Sequence, residues 1–225
     1  MTRQATTNSV EINKDQIAEL LAPFMGAVPL SDSQLDAIQA YLDLLLRWNS
    51  KLNLTAIRDP EEIVTRHFGE SLFAARQLFP ADGSRETAID VGSGAGFPGL
   101  PFKLWCPSLN LTLIESNQGK ATFLREVVRT LNLNTISVIT ERAERVSLSA
   151  DVVTFRAVER FERILRVALS LVNPRGRIAI LVGSEQIGLA QSTLSGIVWK
   201  TPVPIPLSKN RILLVGGRRN SVTPT

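Results

Sequence analysis

A chain of 225 residues, 44% hydrophobic and 20% charged, can bury a sizeable core as one domain, or as one domain with a small appendage. One cysteine, Cys106, excludes an intramolecular disulfide. With a single histidine, His67, it also leaves no zinc set and no Ser-His-Asp relay with a visible nucleophile elbow. Net charge is +4 but uneven: residues 1–85 hold 8 Lys/Arg against 11 Asp/Glu (−3) and residues 86–225 hold 17 against 10 (+7), as expected if an anionic macromolecule docks on the second part.

The first 80 or so residues read as helix. Apolar residues at 17, 20, 21, 24 and 25 give Lys14 to Met25 a helical stripe. Ser31 or Asp32 can cap a second helix through Trp48, with Leu35, Ile38, Leu42, Leu45 and Leu46 on one side. Asp59-Pro60-Glu61-Glu62 is a third start, with a capping acid, proline at the first helical position and acids in the first turn. That helix would carry Ile63, Val64, Phe68, Leu72 and Phe73, and Pro80 to Ser84 closes the segment.

From Thr87 strands and helices alternate: strand 87–91, helix 99–105, strand 111–115, helix 118–132, strand 136–139, strand 151–155, helix 159–171 and strand 177–182. This pattern predicts a doubly wound, mostly parallel α/β sheet. Asn173-Pro174-Arg175-Gly176 reads as the turn before the last of these strands, and strands near 198–203 and 211–215 as an antiparallel pair at the sheet edge. The tail from Gly216 reads as polar and frayed. Residues 1–85 thus form a helical cap and 86–225 the sheet domain. The polar Met1–Asp15 and the lack of a bilayer-length apolar run lead us to expect a cytoplasmic protein with no membrane partner.

The most informative segment is Asp90-Val91-Gly92-Ser93-Gly94-Ala95-Gly96-Phe97-Pro98-Gly99. A strand runs into an acid and three alternate glycines, where a tight turn lets a ligand approach backbone, and the following helix would offer free N–H groups to that ligand. A dinucleotide fingerprint would need glycine where Phe97 stands. The spacing instead resembles the cofactor loop of S-adenosylmethionine-dependent methyltransferases. Ligands bind at strand carboxyl ends. The second strand ends in Glu115, 23 residues beyond Gly92, which suits a ribose acceptor or a helix cap. After the third comes Glu141-Arg142-Ala143-Glu144, either a carboxylate beside an adenine or a solvated charge run. Arg156 stands at the mouth of the fourth strand. Glu159–Arg163 and Glu162–Arg166 have i,i+4 spacing, which leaves Arg156 and Arg160 without such a partner. Cys106, between Trp105 and Pro107, reads as core.

With these residues in hand, the chain from about Tyr41 to Val215 resembles the bacterial small-subunit rRNA guanine-N7 methyltransferase family (RsmG, formerly GidB). The marks are Trp48-Asn49-x-Lys51-x-Asn53-Leu54-Thr55, Arg66-His67-Phe68, the glycine block through Gly99-Leu100-Pro101, Leu113-Ile114-Glu115-Ser116, Lys120-x-x-Phe123-Leu124, Arg142-Ala143-Glu144 and Arg156-Ala157. The resemblance implies a Rossmann-like class I fold and methyl transfer from S-adenosylmethionine to N7 of one guanine in the 530 loop of 16S rRNA. It implies cofactor contacts at Gly92, Phe97, Ala143, Glu144 and Arg156. Relatives usually read His-x-x-Asp-Ser, whereas this chain has His67-Phe68-Gly69-Glu70-Ser71, and Gly69 weakens its helix by roughly 1 kcal/mol relative to alanine.

Together these readings assign Asp90, Gly92, Gly94, Gly96, Phe97, Glu115, Ala143, Glu144 and Arg156 to the cofactor. Arg156 and His67 would place the acceptor, with a packing role for His67 as the alternative. Guanine N7 carries an exposed lone pair and needs no general base, in keeping with the missing acid–base machinery. The expected partner is 16S rRNA or the small ribosomal subunit, bound by a monomer without metal. A methyltransferase of another acceptor, or a non-catalytic RNA-binding factor, stays open.

Overall fold

A computed structural model describes residues 12–80, 85–156 and 160–218. Four helical segments come first: α1 (Lys14–Met25), α2 (Asp32–Leu52), α3 (Pro60–Ile63) and α4 (Glu70–Leu78). The side chains of Asn13, Ser31 and Asp59 cap α1, α2 and α3 by accepting backbone N–H groups three residues on, satisfying donors that a helix start leaves open. The third helix expected from Asp59 does form, but Val64–Gly69 is wound as a π-helix between α3 and α4, and it carries His67. Gly69 has a packing reason. A Cβ there would lie 2.6 Å from the Phe24 ring of α1, so only glycine lets the two helices meet.

The sheet follows: β1 (Thr87–Val91), β2 (Asn110–Ile114), β3 (Ile136–Ile139), β4 (Ala150–Arg156), β5 (Val172–Gly183), β6 (Ile197–Trp199), β7 (Val203–Pro204) and β8 (Arg211–Arg218). The order is β3-β2-β1-β4-β5-β8-β6. The strands from β3 to β5 are parallel, β8 runs antiparallel to β5, and β6 and β7 both pair with β8. Strand order therefore reverses between β1 and β4, which opens a crevice at their carboxyl ends.

Side chains alternate between two apolar layers, as strand geometry requires. Ala88, Leu113, Val152, Leu181 and Leu213 face the layer shared with α1, α2, α4, α5 (Gly99–Trp105) and α6 (Gln118–Thr130). Ile89, Val153, Phe155, Ile180 and Leu214 face the layer of α7 (Phe161–Ser170) and α8 (Ile187–Thr193). The cap and one face of the sheet thus share a continuous core.

Three details differ from expectation. Asn173–Gly176 is not a turn before β5 but lies inside it. The register steps from Ala150↔Val172 to Val152↔Arg177, and Asn173 donates to the Asp151 carboxylate, so the extra residues bulge rather than end the strand. Gly216 and Gly217 are not a frayed tail either. They pair with β5 and β6, and a Cβ on Gly216 would lie 2.5 Å from Ile197, so glycine here marks close packing. Helix α6 stops at Thr130, and Asn132 takes a left-handed conformation two residues later. Among the described residues no helix is long and apolar enough to cross a membrane.

Candidate functional site

The crevice is built first by the loop after β1. Gly92 N–H and Ser93 N–H both donate to the Ile114 carbonyl, Gly96 N–H donates to the Ser93 carbonyl, and Ser93 Oγ donates back to the Asp90 carbonyl. Gly94 and Gly96 have φ of +56° and +92°, a region in which glycine alone is unstrained. The two then serve different ends. A Cβ on Gly94 would meet nothing nearer than 3.8 Å, so this backbone faces open space, whereas a Cβ on Gly96 would collide with the Tyr41 hydroxyl and Leu100.

The expected free N–H groups at the start of α5 are not free. Gly99 N–H donates to Asp90 Oδ2 at 3.1 Å and Leu100 N–H to the Gly96 carbonyl at 2.8 Å, because a buried acid at the strand end caps the helix itself. Asp90 is fully buried and its second oxygen, Oδ1, has no hydrogen-bond partner among the described residues. Burial raises its carboxyl to about 7, only partly opposed by the bond from Gly99 and the nearby Ser93 hydroxyl. Glu115 reaches the loop from the end of β2, accepting from Gly94 N–H (2.9 Å) with one oxygen and from Asn117 N–H (2.7 Å) with the other.

Beside the loop lies a cleft of about 330 Å³ lined by Gly92, Ser116, Arg142, Ala143, Glu144 and Arg163, among others. Ala143 and Glu144 sit on a single 3-10 turn, Ala143–Arg145, which carries the β3–β4 connection. Arg163 pairs with Glu144 at 2.7 Å, across the cleft, and Glu159, its expected i,i+4 partner, lies outside the described residues. Glu144 is held below the usual carboxylate range by its own backbone N–H and by Arg163.

Arg156 is not unpartnered, as local spacing suggests. At the end of β4 its Nη2 lies 3.5 Å from Glu70 Oε2, the same oxygen that accepts from Arg211 Nε of β8 at 2.8 Å. Glu70 and Arg156 are almost wholly buried, so one carboxylate holds two arginines at the seam between cap and sheet. Burial lowers the Arg156 guanidinium to about 10, which leaves it charged at neutral pH, and its Nη1 is a buried donor without a partner among the described residues.

His67 faces the same seam. Thr55 Oγ1 lies 2.7 Å from His67 Nε2 and accepts the Ile57 N–H, while Asn49 Oδ1 fixes Thr55 through its N–H at 2.9 Å. The Thr55 hydroxyl and His67 Nε2 share one hydrogen bond whose direction follows the ring tautomer, and Nδ1 is buried without a partner among the described residues. Burial and the nearby Arg156, Arg66 and Arg211 push the imidazole down to about 3, so it is neutral at pH 7. Its ring stacks on Phe97 at 4.9 Å, and Tyr41 stacks on Phe97 at 5.4 Å. The Phe97 ring is thereby committed to packing with the cap.

Comparison with known proteins bears on what this site serves. A profile described as rRNA small subunit methyltransferase G matches residues 34–192. The Ribosomal RNA small subunit methyltransferase G of Stenotrophomonas maltophilia K279a is 42% identical over 211 residues, covering 93% of this chain and 95% of the relative. That of Chloroflexus aggregans is 39% identical over 203 residues, covering 84% and 83%. The chain belongs to the rRNA small subunit methyltransferase G family. Among solved structures, a ribosomal protein L11 methylase from Lactobacillus delbrueckii superposes with a TM-score of 0.58 at 12% identity, over 68% of this chain and 79% of its own. A SAM-dependent methyltransferase from Aquifex aeolicus does so with 0.57 at 17%, over 73% and 96%. At such identities they show the fold, the Rossmann-like class I methyltransferase architecture expected from the sequence.

In this methyltransferase G family member the crevice has Gly92, Gly94 and Glu115 on one side and Ala143 and Glu144 on another, with Asp90 buried beneath the loop, Gly96 and Phe97 turned to the cap and Arg156 and His67 at the seam. Three residues of the seam and cleft have no counterpart in the sequence-based assignment. Glu70 had a signal, an acid within the apolar run Phe68 to Phe73. Tyr41 and Arg211 had none, because their partners are remote in sequence.

Proposed function

We propose that this protein transfers the methyl group of S-adenosyl-L-methionine to N7 of a guanine in the 530 loop of 16S rRNA. In this reading, residues 1–85 serve as a helical cap and 86–225 as the catalytic domain of a cytoplasmic monomer. The observation that carries the reading is the orphaned acceptor Asp90 Oδ1 beneath a glycine loop whose Gly94 faces open space. Such a site fits a ligand that brings its own donor and packs against bare backbone. The cofactor supplies a methyl group on a positively charged sulfur, ready for in-line displacement.

The residues divide the work. Asp90 takes the ammonium of the cofactor's amino-acid end, Gly92 and Gly94 let the backbone approach it, and Gly96 and Phe97 hold the loop in shape. Glu115, whose two oxygens keep lone pairs beyond the bonds from Gly94 and Asn117, accepts the ribose hydroxyls. Ala143 and Glu144 border the adenine, and Glu144 must share its carboxylate with Arg163 or release it. Arg156 offers one open donor, Nη1, to the guanine oxygen or a neighbouring phosphate, and His67 presents its unpaired Nδ1 beside it.

No side chain has to remove a proton, because N7 attacks through a lone pair in the plane of the base. His67, neutral at the working pH, serves orientation rather than base catalysis. Alignment of the attacking nitrogen, methyl carbon and sulfur is the catalytic task, and such positioning can supply up to about 7–11 kcal/mol. The test is transfer of labelled methyl from S-adenosylmethionine to unmodified 16S rRNA and small-subunit particles, with mapping of the modified base. Label on one guanine N7 in the 530 loop is expected. Cofactor binding without label in RNA would refute the acceptor assignment.

A further inference from the structure

The glycine loop is anchored at its two ends by backbone hydrogen bonds, from Gly92 and Ser93 to the Ile114 carbonyl and from Leu100 to the Gly96 carbonyl, and its middle needs further support. Gly94 and Gly96 can adopt many conformations at small cost, so a ligand-ready shape must be imposed by neighbours. Glu115 imposes part of it through Gly94 N–H. The cap adds a further hold. The Tyr41 hydroxyl of α2, fully buried, donates to the Ala95 carbonyl, in the middle of the loop. Its ring lies parallel to Phe97, with an interplanar angle of 2°, and His67 stacks on Phe97 as well. Gly96 lacks a side chain where the Tyr41 hydroxyl arrives.

We propose that Tyr41 is a positioning residue for the cofactor: a strut from the cap that holds the Ala95 carbonyl and the Phe97 ring so that the loop is preformed before the ligand binds. The inference rests on the reading of the loop as the cofactor site. A loop that visits its binding shape only part of the time binds more weakly by that fraction, whereas the chemical step, once the ligand is seated, is unchanged. Burial raises the Tyr41 phenol well above its ordinary range, so it stays a donor at every pH at which the protein would be assayed.

The variant Tyr41→Phe keeps the ring and removes only the strut. Loss of one neutral hydrogen bond predicts about a five- to tenfold rise in Kd for S-adenosylmethionine by calorimetry. KM for the cofactor should rise in step and kcat change by less than about twofold, since the strut acts on binding alone. Ile38→Val, which removes one methylene from the buried face of the same helix, is the control for a general loosening of the cap. It is expected to lower the melting temperature and leave Kd unchanged. An unchanged Kd in Tyr41→Phe, or an equal rise in Ile38→Val, would overturn the proposal. Gly94→Val tests the loop itself: undiminished affinity there would remove the cofactor-site reading, whereas a null Tyr41→Phe with a defective Gly94→Val removes only the strut.

Discussion

Replacing Asp90 by asparagine should move stability and cofactor affinity in opposite directions. The wild-type carboxyl is raised from 3.8 to about 7 by burial. Between those values the unfolded chain has released this proton and the folded chain has kept it, so unfolding becomes easier as pH rises. The stabilisation tied to the protonated form is complete below about pH 4 and gone above about pH 7, a total of about 4 kcal/mol at ~1.4 kcal/mol per pH unit. Asparagine has no such term, and its amide oxygen can still accept from Gly99 N–H. Urea unfolding of both proteins without cofactor should therefore show the stability difference shifting by about 3 kcal/mol in favour of Asp90→Asn between pH 5 and pH 8. Cofactor binding should run the other way. The ionised carboxylate is what an ammonium requires, so wild-type Kd should rise up to about tenfold per unit as pH falls below 7. In the variant Kd should be flat, and at pH 8 about ten- to a hundredfold weaker than wild type. A pH-independent stability difference would refute the raised carboxyl, and wild-type affinity in the variant would refute its contact with the cofactor.

Gly94→Val should abolish cofactor binding by calorimetry and leave the circular dichroism spectrum native, since the added atoms enter open space and the left-handed backbone costs only about 1–2 kcal/mol. Removing the shared counter-ion with Glu70→Ala leaves Arg156 and Arg211 facing each other at the seam; urea titration should show a loss of about 3–5 kcal/mol. The pH profile of kcat should show no inflection near 6.5, because His67 stays neutral down to about pH 3; a histidine-like limb that disappears in His67→Phe would contradict this. If RNA docks through about five phosphates, the log–log salt slope should lie near −3.5, and a flat response would remove the electrostatic part of the RNA reading.

The parts of the site legible in the sequence are those whose partners are local. Asp90 and the glycines fall within one turn, Glu115 ends the next strand, and Ala143-Glu144 occupies the following loop, so strand order alone brings them to one edge. The seam was illegible because its contacts join remote elements. Arg156 looked free by i,i+4 counting, yet its counter-ion comes from α4, on the other side of the molecule's chain order. The same holds for Glu144, whose partner Arg163 lies on α7, beyond the next strand. In the fold, helix caps and the period-2 strands announced themselves, whereas the π-turn at Val64–Gly69 and the bulge at Asn173–Gly176 are set by what packs against them. A local propensity argument has no access to such contacts.

The seam also gives Glu70 a function that its departure from the usual aspartate left open. Two arginines share one of its oxygens, which compensates the burial of Arg156 and the partial burial of Arg211. The side chain must span from a helix of the cap to strands β4 and β8, which an acid shorter by one methylene could do only if helix and sheet moved together. Glu70→Asp should therefore retain the fold, lose about 1–3 kcal/mol as the shared hydrogen bonds lengthen, and depress methyl transfer through Arg156 more than cofactor affinity. Full activity with intact stability in Glu70→Asp would mean that the seam adjusts to either acid, and that Arg156 is positioned by something other than Glu70.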